Sequence, residues 1–103
     1  MSRPLSLVAD PAADADIESA FNWYETERPG LGLELLDELR DTYRRILAGP
    51  RHYQVLRSGV RRALLRRFPY GVFVSCENDL VVILAVLNSS RDPEEWQRQI
   101  ADR

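Results

Sequence analysis

The chain contains no lysine, one cysteine and one histidine, and it lacks any apolar run long enough to cross a bilayer. Its longest such run, LVVILAVL at 80–87, is well short of the ~20 residues that a membrane-spanning helix needs. The lone Cys76 excludes an internal disulfide and has no partners at metal-ligand spacing. The N-terminal segment also lacks the apolar centre of a signal peptide. We therefore expect a cytoplasmic protein with no membrane contact, no metal and no cofactor.

Because lysine is absent, all 14 basic residues are arginine. Arginine stays protonated and binds phosphate or carboxylate through two parallel hydrogen bonds, but it is a poor general base. Segment 42–76 holds eight arginines and no acid, whereas the segments on either side are acidic and the net charge is −2. Such blocks of charge favour a basic surface for nucleic acid or an acidic protein; the alternative is pairing with acids of the helices.

Hydrophobic periodicity predicts one α+β domain over residues 1–103. A strand at 4–9 is followed by Asp10 and Pro11, which are typical of a helix cap and first helical residue. Apolar spacing then continues the first helix to about Arg28. After the breaker RPGLG, a second helix is expected from Leu31 to Ala48, forming an antiparallel hairpin with the first.

The remaining segments have the period of strands. RRALLRR at 61–67, YGVFVSC at 70–76 and the run at 80–87 predict a mostly antiparallel four-stranded sheet, with the helix hairpin on one face. RRALLRR carries an arginine pair at each end, and alternation places one arginine of each pair on either face. A short C-terminal helix, capped at Asp92, is expected to cover part of the other face and to leave an apolar strip for a partner.

Four segments in this order resemble the RelE/ParE superfamily of bacterial toxins, and its ParE-like branch in particular: FNWYE at 21–25, RPGLG at 28–32, GVRRALLRRFPYGVFV at 59–74 and AVLNSSRDPEEW at 85–96. The resemblance covers nearly the whole chain. It implies the toxin half of a type II toxin-antitoxin pair, held inactive by a cognate antitoxin. RelE-like members cleave messenger RNA on the ribosome, whereas ParE-like members poison DNA gyrase.

Proton-transfer chemistry distinguishes these two activities. Cleavage of RNA by its own 2′-hydroxyl needs a general base, a general acid and cations at the phosphate. Many relatives carry a histidine at the position of Asn88, whose amide cannot titrate. His52 and Glu77 are the remaining candidates, and both are more typical of solvated loop positions. The sequence therefore favours a toxin that acts by binding, with gyrase as its target.

The expected contact surface for target and antitoxin consists of Arg57, Arg61, Arg62, Arg66, Arg67, Arg91 and Trp96. We expect these guanidinium groups to gather on one solvent-facing side of the sheet. Trp23, Tyr24 and Trp96 are either interface anchors or core packing. Two alternatives stay open: a ribosome-dependent endoribonuclease using Arg61, Arg62, Arg91 and His52, and an inactive relic that binds antitoxin as a co-repressor.

Overall fold

The structure is a computed structural model that describes residues 5–56, 59–90 and 92–102. Its elements are β1 (Ser6–Ala9), α1 (Pro11–Glu27), α2 (Leu31–Ala48), β2 (Gln54–Val55), β3 (Arg61–Leu64), β4 (Tyr70–Glu77), β5 (Leu80–Asn88) and α3 (Pro93–Ala101), with a short 3-10 turn at Pro50–His52. The expected α+β class and element order are confirmed. Among the described residues, no helix is long and apolar enough to cross a membrane.

The five strands form one sheet in the order β1-β5-β4-β3-β2. β1 runs parallel to β5, and every other pair is antiparallel. β2 was not expected, because two residues are too few to show alternation. The expected strand through Arg67 instead ends at Leu64, so the placement of the second arginine pair on the sheet is wrong. Arg66 and Arg67 lie in a bend, where their backbone N–H groups bind Glu38 rather than a neighbouring strand.

The helix hairpin follows from local signals. The Asp10 carboxylate accepts the Ala12 N–H at 2.8 Å and caps α1, as expected. At the turn into α2, Gly30 adopts a φ of +92°, which favours glycine. The Glu25 carboxylate accepts the N–H groups of Gly30 and Gly32, and this satisfies donors at the start of α2.

Two layers of unequal size cover the sheet. The hairpin packs on one face around the fully buried Leu35, Ile46 and Ile83. α3 covers the opposite face, called the far face below, where Trp96 packs on Phe73 with ring centroids 4.9 Å apart. α3 covers only part of the far face. Val8 and Leu64 alternate to that side, and they remain 47% and 50% exposed.

Candidate functional site

Arg61 belongs to the hairpin side of the sheet and serves the fold. Its Nη1 donates hydrogen bonds to the carbonyl oxygens of Tyr53 at 2.8 Å and Arg51 at 3.1 Å. These carbonyls lie in the connection between α2 and β2, which has few ladder hydrogen bonds of its own. The Arg61 guanidinium therefore links that connection to β3 by hydrogen bonds.

Arg62, the next residue, projects from the far face because successive side chains of a strand alternate. Its guanidinium carbon lies 5.9 Å from the centroid of the Trp96 ring. To reach that ring the side chain crosses β4 at Gly71, where an added Cβ would lie 3.1 Å from the Arg62 Cγ and Cδ atoms. Trp96 itself is only 5% exposed, so the residue expected to anchor a partner lies in the far-face core.

The second arginine pair is attached to α2. Glu38 accepts the backbone N–H groups of Arg66 and Arg67. The Arg67 guanidinium donates to Glu34 at 2.7 Å, and Arg28 donates to the same carboxylate at 2.9 Å. Hydrogen bonds from Arg67 and then Arg28 lower the pKa of the Glu34 carboxyl below its ordinary value. Arg66 is exposed, and its guanidinium has no ion pair within the described chain.

The expectation that the arginines gather on one solvent-facing side is therefore wrong for Arg61 and Arg67. Alternation sends Arg61 to the hairpin face, and acids of α2 hold Arg67. Arg57 and Arg91 lie outside the described residues. Arg62 and Leu64 on the far face remain open to a partner, and Arg66 is exposed in the bend that follows β3. We call these three residues the far-face patch.

The two candidate acid–base residues, His52 and Glu77, lie at one end of the sheet, and Asn88 lies at the other. His52 lines a small cleft together with Cys76, beside the β4–β5 turn. Glu77 is exposed at the same turn, where β4 ends. Asn88 lies at the other end of β5, and its Oδ1 accepts the Ser90 N–H at 2.9 Å. No described contact joins His52 or Glu77 to Asn88.

A larger cleft, which the sequence did not reveal, opens between α1 and α3 at the end of the sheet where β4 begins. Its volume is about 560 Å³, and its lining includes Asp16, Trp23, Tyr24, Tyr70 and Trp96. We call it the aromatic cleft. The spacing of seven residues between Asp16 and Trp23, which puts both on one face of α1, was the available signal.

The fold has a solved counterpart, and the sequence matches a family model. A chain titled "Chromosomal ParDE TA system from P. aeruginosa" superposes with a TM-score of 0.75 at 18% identity, covering 82% of this chain and 96% of its own length. No curated protein matches the sequence. Residues 7–93 match the model for the ParE toxin of the type II toxin-antitoxin system parDE. Since this match spans most of the chain, the protein belongs to the ParE toxins of type II toxin-antitoxin systems.

Proposed function

We propose that the protein inhibits DNA gyrase by binding it and that a cognate antitoxin neutralises the toxin by covering the same surface. The observation that carries this proposal is the separation of Arg62, the cation of the far face, from the proton-transfer groups. Arg61 does lie near His52, but its guanidinium is bound to the carbonyl oxygens of Arg51 and Tyr53. Arg62 lies beside α3, whereas His52 and Glu77 lie at the β4–β5 turn. An RNA-cleaving site needs an acid and a base within hydrogen-bond reach of the reacting atoms. A binding surface needs only the cations.

The far-face patch has the chemistry of such a surface. Arg62 and Arg66 offer charge-assisted hydrogen bonds to carboxylates, and the half-exposed Leu64, two residues after Arg62 on the same strand face, offers an apolar contact. Charge complementarity at an exposed patch mainly raises the rate of association and selects the partner. Acidic groups of gyrase would bind there when the toxin is active, and carboxylates of the antitoxin would bind there in the toxin–antitoxin complex. Sharing one patch makes inhibition and neutralisation mutually exclusive.

The direct test is supercoiling of relaxed plasmid by purified gyrase with increasing toxin. We expect the wild-type protein to inhibit supercoiling and the double variant Arg62→Glu/Arg66→Glu to lose inhibition. Arg44→Glu, an exposed charge reversal on α2, is the matched control and should inhibit normally. Because Arg62 packs on Trp96, circular dichroism must show that the double variant is folded. Normal supercoiling with excess wild-type toxin would overturn the proposal.

The two alternatives give different results. An endoribonuclease would produce cuts at codon boundaries in translated message, detected by primer extension and lost in Arg62→Ala. An inactive relic would bind its antitoxin while leaving both supercoiling and translated message intact. Either result, with gyrase unaffected, replaces the gyrase proposal.

A further inference from the structure

The outer edge of the sheet at β1 is open in the described part of the chain. β1 pairs with β5 on one side, and no described strand lies on the other. The N–H groups of Ser6 and Asp10 donate to carbonyl oxygens in and just before β5, each at 2.9 Å. Since backbone groups alternate in direction along a strand, Leu5, Leu7 and Ala9 direct theirs away from the sheet.

The composition of this edge permits pairing with another strand. Segment 5–9 carries no charged residue and no proline, which are two of the features that commonly block an exposed strand edge. The opposite edge of the sheet is β2, whose two residues offer no comparable row of backbone groups. A row of open donors and acceptors is complementary to an extended chain. β1 is therefore the edge at which we expect a partner strand.

The side chains of β1 fit an antiparallel second copy of the chain. Pairing about Leu7 places Leu5 opposite the partner's Ala9, so a large side chain faces a small one on the side of the helix hairpin. On the far face, the exposed Ser6 lies opposite the partner's Val8, which is 47% exposed in the single chain. The residues with outward backbone groups then form the hydrogen-bonded pairs, each of which exchanges two hydrogen bonds.

Charge complementarity favours the same antiparallel arrangement. Just before β1, Leu5 lines a small cleft together with Arg51 and His52. An antiparallel partner brings the end of its own β1, and the acidic start of its α1, to this basic turn. The acids concerned are the partner's Asp10 and the partner's Asp14. Because the axis is twofold, this contact between opposite charges occurs twice, whereas a parallel copy would place the two acidic helix starts side by side.

We propose that two copies of the chain associate through antiparallel pairing of their β1 strands, which joins the two sheets into one continuous sheet. The interface along segment 5–9 is small, so we expect a dissociation constant of about 10–100 μM. β5 and β4 separate β1 from β3, so the far-face patch stays open in the dimer. The proposal therefore does not depend on gyrase as the target.

Sedimentation equilibrium of the full chain measures this association. We expect the wild type to change from monomer to dimer between about 1 and about 500 μM. Ser6→Glu/Val8→Glu places carboxylates opposite each other across the twofold axis and should weaken the dimer by about tenfold or more. Gln54→Glu/Val55→Glu, the same kind of change at the exposed β2 edge, is the matched control and should leave the dissociation constant within about twofold. A wild-type chain that stays monomeric throughout this concentration range would overturn the proposal.

A second double variant tests the register of the two strands. Ser6→Arg/Val8→Glu places an arginine opposite a glutamate when the strands pair about Leu7, whereas a shift of two residues places like charges opposite each other. We expect this variant to dimerise about tenfold or more tightly than Ser6→Glu/Val8→Glu, although both lose the same valine. Circular dichroism checks that both variants are folded. Equal weakening of the dimer in the two folded variants would contradict the β1 pairing.

Amide hydrogen exchange tests the pairing in the wild type, without any substitution. The N–H groups of Ser6 and Asp10 bond within the chain and should be protected at every concentration. The N–H groups of Leu7 and Ala9 should exchange about tenfold or more slowly in the concentrated sample than in the dilute one. Fast exchange at Leu7 in the concentrated sample would overturn the proposal. Protection that appears only after the cognate antitoxin is added would show that the antitoxin, and not a second copy, occupies this edge.

Discussion

Neighbouring arginines in β3 have different roles because a strand directs successive side chains to opposite faces. Arg61 donates to two backbone carbonyls near the end of α2, whereas Arg62 lies on Trp96 across the far face. The residue type and spacing are visible in the sequence, but the partner of each guanidinium is not. Both assignments depend on residues distant in the chain.

Replacing Arg61 should therefore affect stability rather than target binding. Arg61→Ala leaves the Tyr53 carbonyl without its charged donor, and we expect the free energy of unfolding to fall by about 1–2 kcal/mol. Arg66→Ala, at an exposed guanidinium, is the control and should change it by less than about 0.5 kcal/mol. Urea denaturation measures both. Equal stability of the two variants would show that the Arg61 hydrogen bonds contribute nothing.

Tyr43 carries a buried hydroxyl without a partner among the described residues. Burial, together with the charge of Asp14, raises the pKa of Tyr43 from 10.0 to about 12. Tyr43→Phe removes the unpaired hydroxyl, so its free energy of unfolding at neutral pH should rise by about 1 kcal/mol. A less stable variant would show that the hydroxyl is hydrogen-bonded after all.

The same residue predicts a dependence on alkaline pH. Because the folded pKa lies above the unfolded value, the unfolded chain loses the proton first as pH rises. The destabilisation that comes from ionising this hydroxyl is therefore absent below about pH 10 and grows as pH rises through about 12. Wild type should lose stability more steeply than Tyr43→Phe across this window, as measured by urea unfolding at a series of pH values. Parallel curves would contradict the raised pKa.

At the scale of elements, the turn between α1 and α2 depends on one carboxylate. Glu25→Ala leaves the Gly30 and Gly32 N–H groups without their acceptor, and we expect a loss of about 1–2 kcal/mol in the free energy of unfolding. Glu25→Gln should recover part of this loss, because its amide oxygen still accepts. Glu27→Ala, an exposed acid two residues later, is the control. Similar losses of unfolding free energy in Glu25→Ala and Glu27→Ala would contradict the role of Glu25 as a cap of α2.

The helices could be predicted closely because their boundaries are encoded locally. Leu31 and Ala48 bound α2 as expected, with Gly30 before it and Gly49 after it. The end of β3 could not be predicted, because the bend that follows the strand depends on Glu38. This carboxylate, 28 residues from Arg66 in the chain, accepts the Arg66 backbone N–H. Sequence patterns report local preferences, whereas this contact forms only once α2 lies beside the bend.

At the scale of the whole molecule, the toxin presents two separate surfaces, the far-face patch and the aromatic cleft. The far-face patch offers Arg62 and Arg66, and the aromatic cleft lies beside the acidic α1. The basic segment 42–76 was evident from the sequence. The sequence did not show which of these arginines form ion pairs within the chain. Glu34 on α2 pairs with the Arg67 guanidinium, and Glu38 on α2 accepts the Arg67 backbone N–H. The sequence did not predict the aromatic cleft either, because its walls come from α1 and α3, which lie far apart in the chain.

The proposed action of this toxin is inhibition of DNA gyrase by binding, and not cleavage of messenger RNA. Its most direct test is induction of the chain in growing cells, with incorporation of labelled thymidine and labelled methionine followed in parallel. DNA synthesis should stop first, and co-expression of the cognate antitoxin should restore it. Translation stopping before DNA synthesis would contradict the claim.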